Sequence, residues 1–188
     1  RIENGIFVGE VSAEKPLKTN TFLIYKGKVP ENFEFMATYR ISPEGNSGVQ
    51  YRSEPVENVA YGLKGYQADI DGANRYTGQN YEERGRGFLA MRGQQATLQT
   101  GQKPVITGSV GDSDKLKEQI RNNDWNTIHI IASGNNMKHY INGVLMSETN
   151  TTIARKIALM GSTRRARREP SWGNCRIVCS PDAPVYAP

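Results

Sequence analysis

Gly45–Gly93 reads GNSGVQYRSEPVENVAYGLKGYQADIDGANRYTGQNYEERGRGFLAMRG, and its rhythm decides the fold. In Gly65–Asp71, Tyr66, Ala68 and Ile70 fall on one side of an extended chain, and Gln67, Asp69 and Asp71 on the other. That period of two marks a strand with one buried face. Gly48–Ser53 repeats it, with Val49 and Tyr51 alternating with Gln50 and Arg52. Two strands that bury apolar residues and turn Gln, Arg and Asp the other way predict a sheet with a polar working surface. The same stretch adds Asn46, Glu82, Glu83 and Arg84, so the candidate site lies here.

Working outward, Gly5–Val11 and Thr21–Tyr25 read as short strands around a turn at Glu14–Thr19. Phe33–Ile41 alternates Phe33, Phe35, Ala37, Tyr39 and Ile41 against Glu34, Met36, Thr38 and Arg40. Pro43–Gly48 is a turn by its Gly, Asn and Ser content. Gly87–Met91 and Gln95–Thr100 are two further strands. Asp112–Ile120 is the one helix, capped by Asp112 or Ser113 and carrying the i, i+4 apolar pair Leu116 and Ile120. Trp125–Ser133, Asn136–Ile141 and Val144–Glu148 form a meander, and Asn142-Gly143 suits the positive φ angles of a two-residue hairpin. Many short strands with regular turn signals and a single helix predict an all-β, two-sheet sandwich or jelly roll.

The 188 residues suit one domain, and no apolar run is long enough to span a membrane as a helix. The net charge of +5 is confined to the end of the chain. Residues 151–188 hold seven Lys and Arg against Glu169 and Asp182, whereas residues 1–150 carry equal numbers of each sign. The expected organisation is a domain over residues 1–150 followed by an atypical basic segment, 151–188, in which Asn174–Ser180 can complete a last strand. The run from Arg164 to Arg168 has no aromatic interleaving and no binding fold behind it, so it reads as solvated rather than as a nucleic-acid site. Cys175 and Cys179 lack the further ligands of a structural zinc site and are either a local disulfide or two thiols.

Asp69-Ile-Asp71-Gly72 begins like a calcium loop, but the twelfth position is Asn80 rather than Glu, so it is no EF-hand. One divalent ion on Asp69 and Asp71 is the metal reading that survives. Glu82 or Glu83 with Asp69 or Asp71 could supply two carboxylates for acid and base work; the plainer alternative is surface pairing with Arg84 and Arg86. His129 and His139, each on a strand, read by themselves as packed structural histidines. Residue patterns alone therefore lead to a β-sandwich whose carboxylate- and arginine-bearing face suits carbohydrate.

Asn20–Gly27, Phe33–Ile41, Gly45–Ser53, Gly65–Asp71, Tyr76–Arg86 and Trp125–Val144 together resemble, in order, the 3-keto-disaccharide hydrolase family, a concanavalin-like jelly roll. The likeness runs from about Arg1 to Glu148, and the family's closing segment is not recognisable in residues 151–188. The resemblance implies cleavage of glycosides oxidised at C3, in a periplasmic or secreted setting. On that likeness Asp69, Glu83 and His139 are the catalytic candidates. Asn46, Gln50, Arg52, Gln67, Tyr81 and Arg84 are substrate contacts, Arg52 and Gln67 facing the developing enolate. The resemblance fixes no cofactor, a divalent metal on Asp69 and Asp71 stays a candidate, and the partner it implies is an oxidised disaccharide or glycoside. The rival expectation is a non-catalytic carbohydrate-binding module of the same fold, with Tyr61, Tyr76 and Tyr81 as stacking platforms.

Overall fold

The structure, a computed structural model, describes residues 1–12, 14, 16, 17, 19–27, 30–152, 159–164 and 175–180, the last two stretches by their backbone only. In chain order the strands are β1 (Ile2–Glu3), β2 (Ile6–Val11), β3 (Thr21–Ile24), β4 (Phe33–Ile41), β5 (Asn46–Pro55) and β6 (Leu63–Asp71). There follow β7 (Asn80–Glu83), β8 (Gly87–Ala90), β9 (Gln94–Leu98), β10 (Val105–Ser109) and the short helix α1 (Ser113–Lys117). The remaining strands are β11 (Asn126–Ser133), β12 (Asn136–Ile141), β13 (Val144–Thr151), β14 (Leu159–Arg164) and β15 (Cys175–Ser180). They form two sheets, one of nine strands in the order β1-β2-β15-β4-β11-β12-β13-β9-β10 and one of six in the order β3-β14-β5-β6-β7-β8.

Period-two alternation closes the two sheets on each other. Tyr39 and Ile41 of β4, Ile128 and Ile130 of β11, and Met137 and Ile141 of β12 face inward from the large sheet. Val49 and Tyr51 of β5 with Tyr66, Ala68 and Ile70 of β6 meet them from the small one. This is the jelly-roll sandwich that the alternation predicts, with one continuous core between the layers. Burial of each such aliphatic side chain contributes about 1.5–3 kcal/mol.

The sequence places most strands within two residues of their observed ends, and the differences have local causes. Residues 80–83 form β7 because they pair with both β6 and β8. The hairpin between β12 and β13 turns at Asn142 and Gly143, both at positive φ, and Asn142 also accepts the Thr127 N–H and donates to the Gln119 carbonyl. The helix ends at Lys117 rather than Ile120. Its continuation tightens to i→i−3 bonds, Gln119 N–H to Leu116 O and Ile120 N–H to Lys117 O, which still deliver Ile120 to the core. Asp112 is the N-cap, its Oδ1 accepting from the N–H groups of Asp114 and Lys115. Strand β10, absent from the sequence reading, is an exposed edge without clear alternation.

The segment after residue 150 enters both layers. Strand β14 lies between β3 and β5, and β15 lies between β2 and β4, with Ile177 opposite both Gly9 and Ile41. A division at residue 150 thus follows composition but not the sheets. The side chains of Cys175 and Cys179, and with them the disulfide question, lie outside the described part.

Candidate functional site

The register of the small sheet assembles a polar face on the side away from the core. Gln50 pairs with Gln67, Gln67 with Tyr81, and Tyr81 with Phe88, so these four form one row across β5, β6, β7 and β8. Gly48 and Asp69 stand on one side of that row, Gly65 and Glu83 on the other. Two residues along a strand span about 7 Å. Asp69 and Glu83 therefore flank Gln67 from opposite directions instead of forming a contacting pair. Both glycines are demanded by close approach. A Cβ on Gly48 would stand 2.8 Å from Gln67 Cγ, and one on Gly65 would stand 2.1 Å from Ser53 Oγ.

Asp69 is 2% exposed, and two amides hold it: Gln67 Nε2 donates to Oδ1, and Gln79 Nε2 donates to Oδ2 at 2.8 Å. Glu83 is 7% exposed; Asn20 Nδ2 donates to its Oε1 at 3.0 Å, and Arg84 Nε lies 4.0 Å from the same oxygen. Between the two carboxylates the hydrogen-bonding capacity of the amides is not used up. Gln50 is fully buried, yet neither its Oε1 nor its Nε2 has a partner, and Gln67 Oε1 and Gln79 Oε1 also lack one. Buried polar atoms are normally paired, so this cluster is a departure from the rest of the core that calls for water, an ion or a ligand to complete it. Asn46 continues the face beyond Asp69, opposite Asp71.

Arg52 interrupts the alternation. It takes φ +45° at a bulge where Arg52 and Ser53 oppose Gly65, and it is Ser53 that packs on that glycine. A bulky residue in the left-handed region is strained by about 1–3 kcal/mol, and such strain collects at functional sites. The guanidinium is anchored by Nη2 donating to the Glu31 carbonyl at 2.8 Å, while Nε has no partner.

Two other expected site residues do different work. Asp71 was expected as a metal ligand beside Asp69, but its carboxylate turns into the following loop. Oδ1 accepts from the N–H groups of Tyr76 and Thr77 and from Thr77 Oγ1, and Oδ2 accepts from the Arg75 N–H. The expected Asp69–Asp71 metal pair is thus not assembled, and no group of three His, Cys, Asp or Glu among the described residues could hold an ion. Buried Arg92 fastens the same loop, donating to the carbonyls of Asn74, Thr77 and Ser113, and burial lowers its pKa. Glu82, on the core side opposite Tyr66, is bound by Arg86 at 2.6 Å.

His139, expected as a second base beside Asp69 and Glu83, sits between the sheets with Met137 and Ile141, 1% exposed. Its Nδ1 lies 3.2 Å from the Gln79 carbonyl, which can only accept, so Nδ1 carries the proton and Nε2 accepts from the Tyr51 hydroxyl at 2.8 Å. Burial pushes the ring down to about 4, the bond to Gln79 acting the other way, and burial pushes the Tyr51 hydroxyl far up. His139 therefore stands neutral on the far side of the sheet from the two carboxylates. It reaches the site indirectly. Ser147 Oγ donates to the Gly78 carbonyl, and Asn80 Nδ2 donates to Thr149 Oγ1 and to the Tyr51 oxygen. The core thus clamps residues 78–80, and Gln79 extends from that clamp to Asp69. Gln79 and Asn20 escaped the sequence reading, although Gln79 shares the parity of Tyr81 and Glu83.

The sequence matches, over residues 1–179, the family described as the 3-keto-alpha-glucoside-1,2-lyase-like domain. The chain belongs to that family. The match runs past Glu148, where the recognisable likeness ends, through β14 and into β15. Among curated proteins no sequence matches the chain. The chain shares its fold with the carbohydrate binding module CBM66 from Bacillus subtilis, at 12% identity and a TM-score of 0.54, covering 94% of this chain and 92% of that one. A protein of Parabacteroides distasonis ATCC 8503 proposed to be a glycosyl hydrolase superposes with a TM-score of 0.56 at 13% identity, covering 96% and 86%. At such identities the likeness concerns fold. No helix among the described residues is long and apolar enough to cross a membrane.

Proposed function

We propose that this domain cleaves 3-keto-glycosides on the polar face of its small sheet, by elimination across C1 and C2. The observation that carries this reading is the buried amide cluster of Gln50, Gln67 and Gln79 beside Asp69, in which both polar atoms of Gln50 and the side-chain oxygens of Gln67 and Gln79 have no partner. Its open positions are uncharged and mix donor with acceptors, which suits a neutral polyol better than an anion or a cation. Family membership supports an oxidised sugar as the substrate class.

A carbonyl at C3 acidifies the hydrogen on C2. One carboxylate removes that proton, the electron pair forms the C1–C2 double bond, and the C1–O bond breaks. The other carboxyl group, protonated when the substrate binds, gives its proton to the departing oxygen. Amide donors at Gln50, with Arg52 at the strained bulge, hold the C3 oxygen as negative charge gathers there. Water then adds across the double bond, hydroxyl to C1 and proton to C2, so the net reaction is hydrolysis. The same reading sets the protein in the periplasm or outside the cell, as fractionation of the native organism would check.

The test is to incubate the protein with a 3-keto-disaccharide and with its unoxidised parent, each with and without added divalent metal, and to follow release of the second sugar. Only the keto form should be cleaved, and Asp69→Asn or Glu83→Gln should lower turnover by about 100-fold or more. Equal cleavage of both sugars, or full turnover by both variants, would defeat the proposal. The aromatic side chains at the end of the row favour a second reading, a binding module without chemistry. Binding of the parent sugar with cleavage of neither would select it.

A further inference from the structure

We propose that Phe88, with Tyr81 and Tyr76, forms a stacking subsite for the ring that leaves. The inference rests on the carbohydrate reading above and says where the second half of the ligand lies. Phe88 is 46% exposed, packs edge-on to Tyr81 at 5.3 Å between ring centres, and stacks on Tyr76 at 5.8 Å with 24° between planes. The guanidinium of Arg75 lies 6.0 Å from the Tyr76 ring centre, over its face.

Position gives this cluster its meaning. Phe88 ends the row Gln50–Gln67–Tyr81–Phe88, and β8 is the last strand of its sheet. With strands about 4.8 Å apart, Gln67 and Phe88 are separated by roughly 10 Å. A ring held by the amides of Gln50 and Gln67 would thus put a ring joined to it over Tyr81 and Phe88. The two ends of the row also differ in chemistry. The amide end offers directional hydrogen bonds and can fix the position of the ring that reacts. The aromatic end offers flat apolar surface, which meets the C–H face of a pyranose but tolerates different hydroxyl patterns. A group that must depart is better held by the second kind of surface, at an open sheet edge.

The test compares kcat/KM for a 3-keto-disaccharide with that for methyl 3-keto-glucoside, which has the same reacting ring and no second one. Phe88→Ala should lower the ratio of the two about tenfold, the scale of a lost ring contact. Phe88→Leu, which keeps apolar area without a ring face, should lower it as much, and Phe88→Trp should restore it. An unchanged ratio in Phe88→Ala, or a ratio retained by Phe88→Leu, would overturn the proposal. Were the wild-type protein to cleave neither substrate, the elimination reading would fail while the subsite stayed open to calorimetry. The affinity ratio of an unoxidised disaccharide to its monosaccharide should then fall about tenfold in Phe88→Ala. The same ratio, or no binding of either sugar, would overturn the subsite. Sedimentation of both proteins guards against a different use of the patch: a concentration-dependent dimer lost in Phe88→Ala, with ratios unchanged, would make it a self-association surface.

Discussion

Acid should destabilise this protein in a way that one buried side chain can be made to reveal. His139 has the ordinary imidazole value of 6.5 when exposed and is pushed to about 4 in the fold, chiefly because burial removes water from the charged ring. Above 6.5 the ring is neutral in both folded and unfolded chains, and nothing is lost. As pH falls from 6.5 toward 4, the unfolded chain takes up a proton that the folded one refuses, so stability drops with falling pH. At about 1.4 kcal/mol for each pH unit, two and a half units cost roughly 3 kcal/mol, and below 4 this residue adds no further loss. The comparison is His139→Gln, whose carboxamide can still donate toward the Gln79 carbonyl and accept from Tyr51 but does not titrate. Urea unfolding of both proteins between pH 7.5 and 4.5 isolates the effect, because carboxylates titrate alike in each. The variant should begin less stable at pH 7.5 and lose about 2–3 kcal/mol less by pH 4.5, where two of the two and a half units have been crossed. Parallel curves would refute the reasoning, for they would mean that the folded ring protonates freely.

Two further substitutions separate stability from ligand binding. Gln50→Met removes two buried polar atoms that have no partner in the free protein, so it should raise stability by about 1–3 kcal/mol while lowering sugar binding and turnover; a loss of stability in urea unfolding would show that the amide is already satisfied. Asp71→Asn replaces a carboxylate that receives four hydrogen bonds from its own loop and should cost about 2–4 kcal/mol by thermal unfolding. A variant of wild-type stability with altered divalent-metal affinity would return Asp71 to the role of ligand.

The fold was legible because strand parity is a local property. Phe33–Ile41 and Asn136–Ile141 match their strands to the residue, since every second side chain in each is apolar or packed inward. The site was legible in part for the same reason: parity puts Gln50, Gln67 and Asp69 on one face. The period of two also puts His139 on the face of Met137 and Ile141, where it is buried, away from the carboxylates with which the resemblance groups it. Asp71 shows the limit of spacing, since Asp-x-Asp does not tell which carboxylate folds back on its own loop. Asn20 lies 63 residues from Glu83, and no local pattern announces a contact of that range. The strained bulge at Arg52 was equally hidden, because a left-handed conformation in a non-glycine residue is imposed by the pairing around it.

The arrangement as a whole has an energetic logic. Each buried amide atom without a partner costs about 1–3 kcal/mol, and a bulky residue at positive φ costs a similar amount. A marginally stable domain can keep such a cluster only if its surroundings hold it rigidly. Here the support lies directly behind the face: His139, Ser147 and Asn80 fix residues 78–80 from inside the core, while Asp71 and Arg92 fix the preceding loop. Gln79 is the point at which that support crosses the sheet, its carbonyl bound by His139 on one side and its amide bound to Asp69 on the other. A ligand that reaches these unpaired amide atoms would therefore meet donors and acceptors already held in orientation. Its binding energy would not be spent on ordering them, which is the physical advantage of leaving them unsatisfied in the free protein.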